Sequence, residues 1–244
     1  MALCQRTDQW ERHVENKEKD VTEIKTITLS LPLGLGTVNC YLVESDAGFV
    51  LIDTGISNRR AEMEDELARA GCRPGNLQLI VLTHGDFDHT GNAAHLRQTF
   101  GTKITMHRGD AGMVEHGDMF ANRSSGNAVL RLLAPLLFRF PRANRFRPDV
   151  YVEDGDDLSE YGFQARVLSI PGHSAGSIGL LTTEGDLFCG DLLENGDKPA
   201  TNSIMDDPVA CRASLEKLRN FETHTVYPGH GQPFLMDSFW AQLL

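Results

Sequence analysis

The chain has no run of 18 apolar residues, so no segment reads as a membrane span. It also lacks a basic excess. The formal net charge is −11, whereas a general nucleic-acid binder needs a basic surface. Residues 1–22 are polar and charged with no apolar stretch, which reads as a tail ahead of the folded domain rather than a signal peptide. Cys4, Cys40, Cys72, Cys189 and Cys211 show no paired spacing. An odd count without an export signal indicates free thiols and a cytoplasmic protein. Gly172-His173-Ser174-Ala175-Gly176 has the letters of Gly-x-Ser-x-Gly, but it lies between two predicted strands rather than at a strand-to-helix elbow, so it does not mark a serine nucleophile. No Gly-x-Gly-x-x-Gly or P-loop marks a nucleotide site, and there is no internal repeat or low-complexity linker.

What is present is a chain of 244 residues, 41% hydrophobic, enough for a substantial core. The patterning predicts strands at 23–31, 37–44 and 48–53, a helix at 58–70 stopping at Gly71, and a strand at 77–83. A helix at 90–100 and a strand at 103–107 follow. Strands resume at 151–152, 163–170, 178–183 and 186–189, then a helix at 208–221, a strand at 225–227 and a last helix at 237–244. This order suggests two sheets with helices outside, a layered α/β domain over 23–244. Residues 108–149 break the rhythm with an apolar segment, 128–138, flanked by Arg123, Arg139, Arg142, Arg145 and Arg147. They read as a helical insertion that packs on the domain, folds over the site as a lid, or forms a dimer contact.

The most informative segment is Leu79-Ile80-Val81-Leu82-Thr83-His84-Gly85-Asp86-Phe87-Asp88-His89. A buried strand ends in four ligand-type residues within six. Side chains two apart in an extended loop face the same way, so His84 and Asp86 can share one ion. Asp88 and His89, at the start of a helix, can turn toward a second. Density alone proves little, because Glu62, Glu64, Asp65 and Glu66 match it and read as a solvated helix face. Three later strand ends answer the loop. Each carries a glycine turn and one ligand-type residue: His173 after Pro171-Gly172, Asp191 after Gly190, and His230 after Pro228-Gly229. Glycine lets the backbone turn sharply and approach an ion closely. Outside this set, His13, His95, His107 and His224 read as surface or packing residues. His116 is the exception, because the insertion can reach the site.

With these residues in place the chain resembles the metallo-β-lactamase superfamily, whose first motif is His-x-His-x-Asp-His followed by separate His, Asp and His ligands. Asn39-Cys40-Tyr41-Leu42-Val43 and Leu51-Ile52-Asp53-Thr54-Gly55 match its early strands and its Asp-x-Gly turn. The resemblance implies a four-layer αββα sandwich and two divalent transition-metal ions per chain, zinc, iron or manganese. It implies that His84, Asp86 and His173 hold one ion, and that Asp88, His89 and His230 hold the other. Asp191 would bridge them, and Asp53 would steady the ligand loops from behind. Asp88 and Asp191 are the expected catalytic residues.

Asp86 departs from the family pattern, which has His there. The carboxylate adds one negative charge and one hard oxygen, which biases the site toward iron or manganese. A flavodiiron branch, with Glu at that place, points the same way. The implied function is hydrolysis by a metal-bridging hydroxide of a small ester, thioester, lactone or related substrate. His116, Arg123 and Arg131 are candidate substrate contacts, the arginines favouring an anionic group. Iron-dependent oxidoreduction, of a sulfur dioxygenase or flavodiiron kind, is the alternative, and a non-catalytic metal-binding module is a third reading. Little chain follows His230, so the glutathione-binding domain of a long glyoxalase II and a flavodoxin domain are expected to be absent, and the sequence shows neither an inserted β-CASP domain nor an RNA-binding arm. The expected partner is a small molecule, with no nucleic acid and no membrane, on a monomer or homodimer.

Overall fold

The structure is a computed structural model that describes residues 23–45, 47–121, 123 and 141–242. Its first sheet takes six strands in chain order: β1 (Ile24–Ser30), β2 (Thr37–Ser45), β3 (Gly48–Ile52), β4 (Leu77–Val81), β5 (Lys103–His107) and β6 (Val150–Val152). β1 to β3 are antiparallel, and β3 to β6 are parallel. The second sheet has β7 (Ala165–Ser169), β8 (Ile178–Thr182), β9 (Leu187–Gly190), β12 (Thr225–Pro228) and β13 (Phe234–Leu235), in the order β13-β12-β9-β8-β7. A small ribbon of β10 (Leu193–Asn195) and β11 (Pro199–Thr201) stands apart. The helices are α1 (Arg60–Arg69), α2 (Phe87–Thr90), α3 (Ala93–Phe100), α4 (Arg108–His116), α5 (Pro208–Leu218) and α6 (Met236–Trp240).

The layering follows from the two-residue period of a strand. In β3, Phe49 and Leu51 join a cluster with Met63 and Leu67 of α1 and Leu96 of α3. Their neighbours Val50 and Ile52 face the other way, into a cluster with Val167, Leu180 and Phe188 of the second sheet. In β9 the same alternation sends Phe188 inward, while Leu187 and Cys189 pack with Leu218 of α5 and Phe239 of α6. Three apolar seams between four layers give the αββα sandwich that the resemblance implies. Both faces of these strands are covered, which is why they read as continuous apolar runs rather than alternating ones.

The boundaries differ in places for local reasons. The helix expected at 90–100 is two pieces, α2 and α3, because Gly91 passes close against the turn after β3. A side chain there would meet the Ser57 nitrogen at 2.5 Å and the Gly55 carbonyl at 2.7 Å. The expected last helix begins at Met236 and closes at Trp240. Helix α4 lies in the stretch read as an insertion. Residues 124–140, with Arg131 and most of the apolar segment, lie outside the described residues, as does Cys4. Cys40, Cys72, Cys189 and Cys211 are buried free thiols. Among the described residues no helix is long and apolar enough to cross a membrane.

Phe188 sits at the centre of the inter-sheet seam, stacked on Tyr227 with centroids 4.8 Å apart and edge-on to Tyr41 at 5.2 Å. Phe188→Ala should lower unfolding free energy by about 3–5 kcal/mol, read from urea denaturation. A loss below about 1 kcal/mol would show that the two sheets do not depend on this ring.

Candidate metal centre

The parallel strands deliver their C-terminal ends to one rim. Asp53 follows β3, the 83–89 loop follows β4, Asp191 follows β9, and His230 follows β12. His173 lies in the connection from β7 to β8. β12 and β9 run parallel with Pro228 opposite Gly190, which sets Asp191 and His230 side by side. The close approach requires glycine at 229, where a Cβ would meet Asp191 Oδ1 at 2.2 Å. The two sheets are laced together at this rim. Asn39 N–H donates to the Gly229 carbonyl at 2.8 Å, Tyr41 Oη to the Pro228 carbonyl at 2.6 Å, and Ile178 N–H to the Thr83 carbonyl at 2.9 Å.

All seven predicted ligand residues converge. Asp86 Oδ2 lies 3.0 Å from His173 Nε2 and 3.7 Å from His84 Nε2. His230 Nε2 lies 3.6 Å from Asp88 Oδ2 and 3.2 Å from Asp191 Oδ2. Asp191 also reaches His89 Nε2 at 3.3 Å, His173 Nε2 at 3.9 Å and His84 Nε2 at 4.0 Å, so it stands between the two groups. Two donors held tetrahedrally by one ion at ~2.1 Å stand about 3.4 Å apart, and these spacings bracket that value. Among the described residues, His84/Asp86/His173, His84/His89/Asp191 and Asp88/His89/His230 each bring three ligand atoms close enough together to hold a cation. Buried His84 Nε2, His89 Nε2 and Asp191 Oδ1 have no hydrogen-bond partner, an arrangement that is costly unless a cation takes the lone pairs.

The opposite face of each imidazole is fixed. His173 Nδ1 donates to the Ile204 carbonyl at 2.7 Å, and His230 Nδ1 to the Thr37 carbonyl at 2.6 Å. His89 Nδ1 donates to Asp53 Oδ2 at 2.8 Å. The Thr83 hydroxyl donates to the same oxygen at 2.7 Å, so it can only accept from His84 Nδ1 at 3.0 Å. Every ring is thereby left with its Nε2 atom facing the centre. Asp53 is one of two non-glycine residues with positive φ among the described residues, at +59°. That strained turn aims its carboxylate, which also takes the Thr83 N–H at 2.8 Å.

Two residues that sequence reasoning missed, or cast differently, matter here. Asp110 of α4 is buried and clips the two ligand loops together, accepting from Gly85 N–H at 2.9 Å, Ser174 Oγ at 2.6 Å and Gly176 N–H at 2.7 Å. Arg123, a candidate substrate contact, is buried at the centre with its Nη2 2.9 Å from Asp86 Oδ1. His116 is exposed, bonded to the Gly112 carbonyl of its own helix, and takes no part in the cluster.

Charge shapes the proton affinities. Burial pushes the Asp191 carboxyl up, but the charges of His89 and His230 outweigh it and hold it well below the usual range. Burial lowers His173, yet its hydrogen bond to Asp86 and the Asp191 charge bring it to about 9. His230 likewise reaches about 9 through Asp191. Burial, then the Asp191 and Asp86 charges, keep Asp88 raised despite His89. Burial first, and the Asp191 charge in addition, carry the Cys189 thiol to about 12, which keeps it a protonated thiol at neutral pH.

Two outcomes follow. His173 and His230 hold protons up to about pH 9 and must release them to offer Nε2 to a cation. Metal affinity should therefore rise between pH 7 and 9 and level off above, with proton release at pH 7 measurable by calorimetry in buffers of different ionisation enthalpy. A pH-independent affinity would contradict this. Asp53→Asn keeps a side chain that tolerates positive φ but cannot accept all these donors, so metal affinity should fall ~10–100-fold in a folded chain. Unchanged affinity would remove Asp53 from the centre's support.

A family model described as the metallo-beta-lactamase superfamily matches residues 33–230. The chain is 30% identical over 217 residues to the acyl-coenzyme A thioesterase MBLAC2 of Bos taurus, covering 80% of this chain and 74% of the relative. It is 31% identical over 169 residues to the hydroxyacylglutathione hydrolase GloC of Haemophilus influenzae, covering 68% and 71%. Among solved structures, TTHA1623 in a di-iron-bound form superposes with a TM-score of 0.67 at 30% identity, covering 89% of this chain and 97% of that one. The metallo-beta-lactamase family protein TTHA1429 from Thermus thermophilus gives 0.69 at 24% identity, covering 90% and 77%, a likeness of fold. With a family model spanning most of its length, the chain belongs to the metallo-beta-lactamase superfamily and is a metal-dependent hydrolase.

Proposed function

We propose that the chain is a dinuclear thioesterase, with one cation held by His84, Asp86 and His173, the other by Asp88, His89 and His230, and Asp191 between them. The observation that carries this reading is the set of four imidazoles whose Nδ1 atoms are all tied back and whose Nε2 atoms face three carboxylates. When bound, the two cations supply a water ionised near neutral pH and polarise the carbonyl under attack.

The chain's own residues complete the chemistry. Asp191 reaches donors of both groups and fixes their separation. Asp88, with a raised proton affinity, is suited to take a proton and pass it on as the thiolate leaves. Thioesters are favoured because two relatives carry names of enzymes that cleave them. The rim supports an apolar acyl group. Leu33 and Leu35 are 95% and 60% exposed on the turn leading to Thr37, which holds His230. Ile204, 69% exposed, holds His173 on the other side through its carbonyl. Oxidoreduction is the second reading, favoured by the carboxylate at Asp86 and by the di-iron form of TTHA1623.

A panel of acyl thioesters, oxygen esters, lactones and phosphodiesters, assayed with zinc, manganese and iron, tests the proposal. Thioester turnover should depend on metal, vanish with a chelator and fall at least ~10³-fold in Asp191→Ala, by loss of the group between the ions. Oxygen consumption with a persulfide donor, without ester or thioester turnover, would move the chain to the oxidoreductase reading.

A further inference from the structure

Arg123 is the one described cation that penetrates the centre, with its side chain 7% exposed. Its Nη2 lies 2.9 Å from Asp86 Oδ1 and 3.0 Å from Asp86 Oδ2, and 3.4 Å from His173 Nε2. Its Nε lies 2.9 Å from Asp206 Oδ2. The Asp206 N–H donates to the Gly172 carbonyl at 2.8 Å and reaches that of His173 at 3.3 Å. Two residues earlier, the Ile204 carbonyl holds His173 Nδ1. One short segment therefore braces His173 directly and Asp86 through the guanidinium.

We propose that Asp86 and Arg123 act as a single unit, a charge-neutral pair that fills one ligand position, and that Arg123 thereby sets the charge and metal preference of the His84/Asp86/His173 group. The inference rests on the dinuclear reading above. A carboxylate alone would add a full negative charge beside His84, His173 and Asp191. The guanidinium cancels it and holds Asp86 Oδ2 toward the two imidazoles. The planar fork of arginine suits this, because separate nitrogens can engage two carboxylates at once. The same saturation argues against Arg123 as an anchor for an anionic substrate, since one positive charge already faces two acids. A divalent ion and a guanidinium a few ångströms apart repel strongly in a buried site. Asp86 between them is what makes both tolerable, so the guanidinium is harmful to a bound ion once Asp86 is gone.

A double-mutant cycle on the full chain reads this coupling. Metal stoichiometry and affinity would be measured for wild type, Asp86→His, Arg123→Gln and the double variant, using cobalt(II) absorption and elemental analysis, with thermal melting as the folding control. Asp86→His alone leaves the guanidinium uncompensated and should weaken one of two ions by ~10–100-fold. Arg123→Gln alone should retain two ions but alter the cobalt spectrum and favour manganese over zinc relative to wild type. The double variant, neutral again, should recover the lost ion. Asp86→His binding two ions as tightly as wild type, or a double variant no better than Asp86→His, overturns the pairing. A wild-type chain that takes up no transition metal overturns the dinuclear reading and the pairing with it, which separates the two failures.

Discussion

Four carboxylates, Asp53, Asp86, Asp88 and Asp191, are buried at one rim of the sandwich, and the rest of that rim is arranged around their charge. Ionised acids in so little space repel one another and lose their hydration, so they persist only where cations or directed hydrogen bonds answer them. Asp53 is answered by His89, by the Thr83 hydroxyl and by the Thr83 amide. Asp191 is answered by His89 and His230, and Asp86 by His173 and Arg123. Asp88 has the weakest compensation and is the one acid of the three central ones whose proton affinity is raised.

The fold makes the cluster possible by ending its parallel strands together. In parallel strands the side chains beyond the C-terminal ends come from separate parts of the chain yet share one edge. Asp53, His84 and Asp191 reach the rim this way, each from a strand buried on both faces and hence firmly placed. The hydrogen bonds from Asn39, Tyr41 and Ile178 then tie one sheet to the other at the site itself. The rim is thus held at the junction of two rigid layers, and the strained turn at Asp53 is supported by its surroundings rather than free to relax.

Much of this was legible in the sequence because it is local. The 79–89 segment announces a strand and its ligand loop, and the glycine turns at 172, 190 and 229 mark the other strand ends. Two sheets with helices outside follow from the order of the elements, and the four-layer αββα arrangement from the resemblance to the family. The parts that were not legible depend on distant partners. Helix α4 carries Gly109 and Gly112, poor helix formers, and Gly109 lies where a Cβ would meet the Gly176 backbone at 2.9 Å. Tertiary contact overrides propensity there, and it is the same contact that brings Asp110 to the ligand loops. β10 and β11 are three residues each, with polar or proline positions, and have no period to detect. Arg123 is one of several arginines in its stretch, and nothing nearby in the chain marks it as the one that meets Asp86.

That last pairing changes what Asp86 implies. Taken alone, a carboxylate where a histidine is expected adds charge and hardness together, and both favour iron or manganese. The structure separates the two. Arg123 removes the added charge, so the electrostatic part of that bias falls away. The oxygen donor remains, and with it only the preference that oxygen ligands confer. Arg123 also draws electron density from Asp86 through its contacts with both oxygens, which makes the carboxylate a weaker donor and leaves a bound cation more electrophilic. A site built this way is better suited to polarising a carbonyl than an unpaired aspartate would be, so the substitution that first suggested redox chemistry is, with its arginine, compatible with hydrolysis.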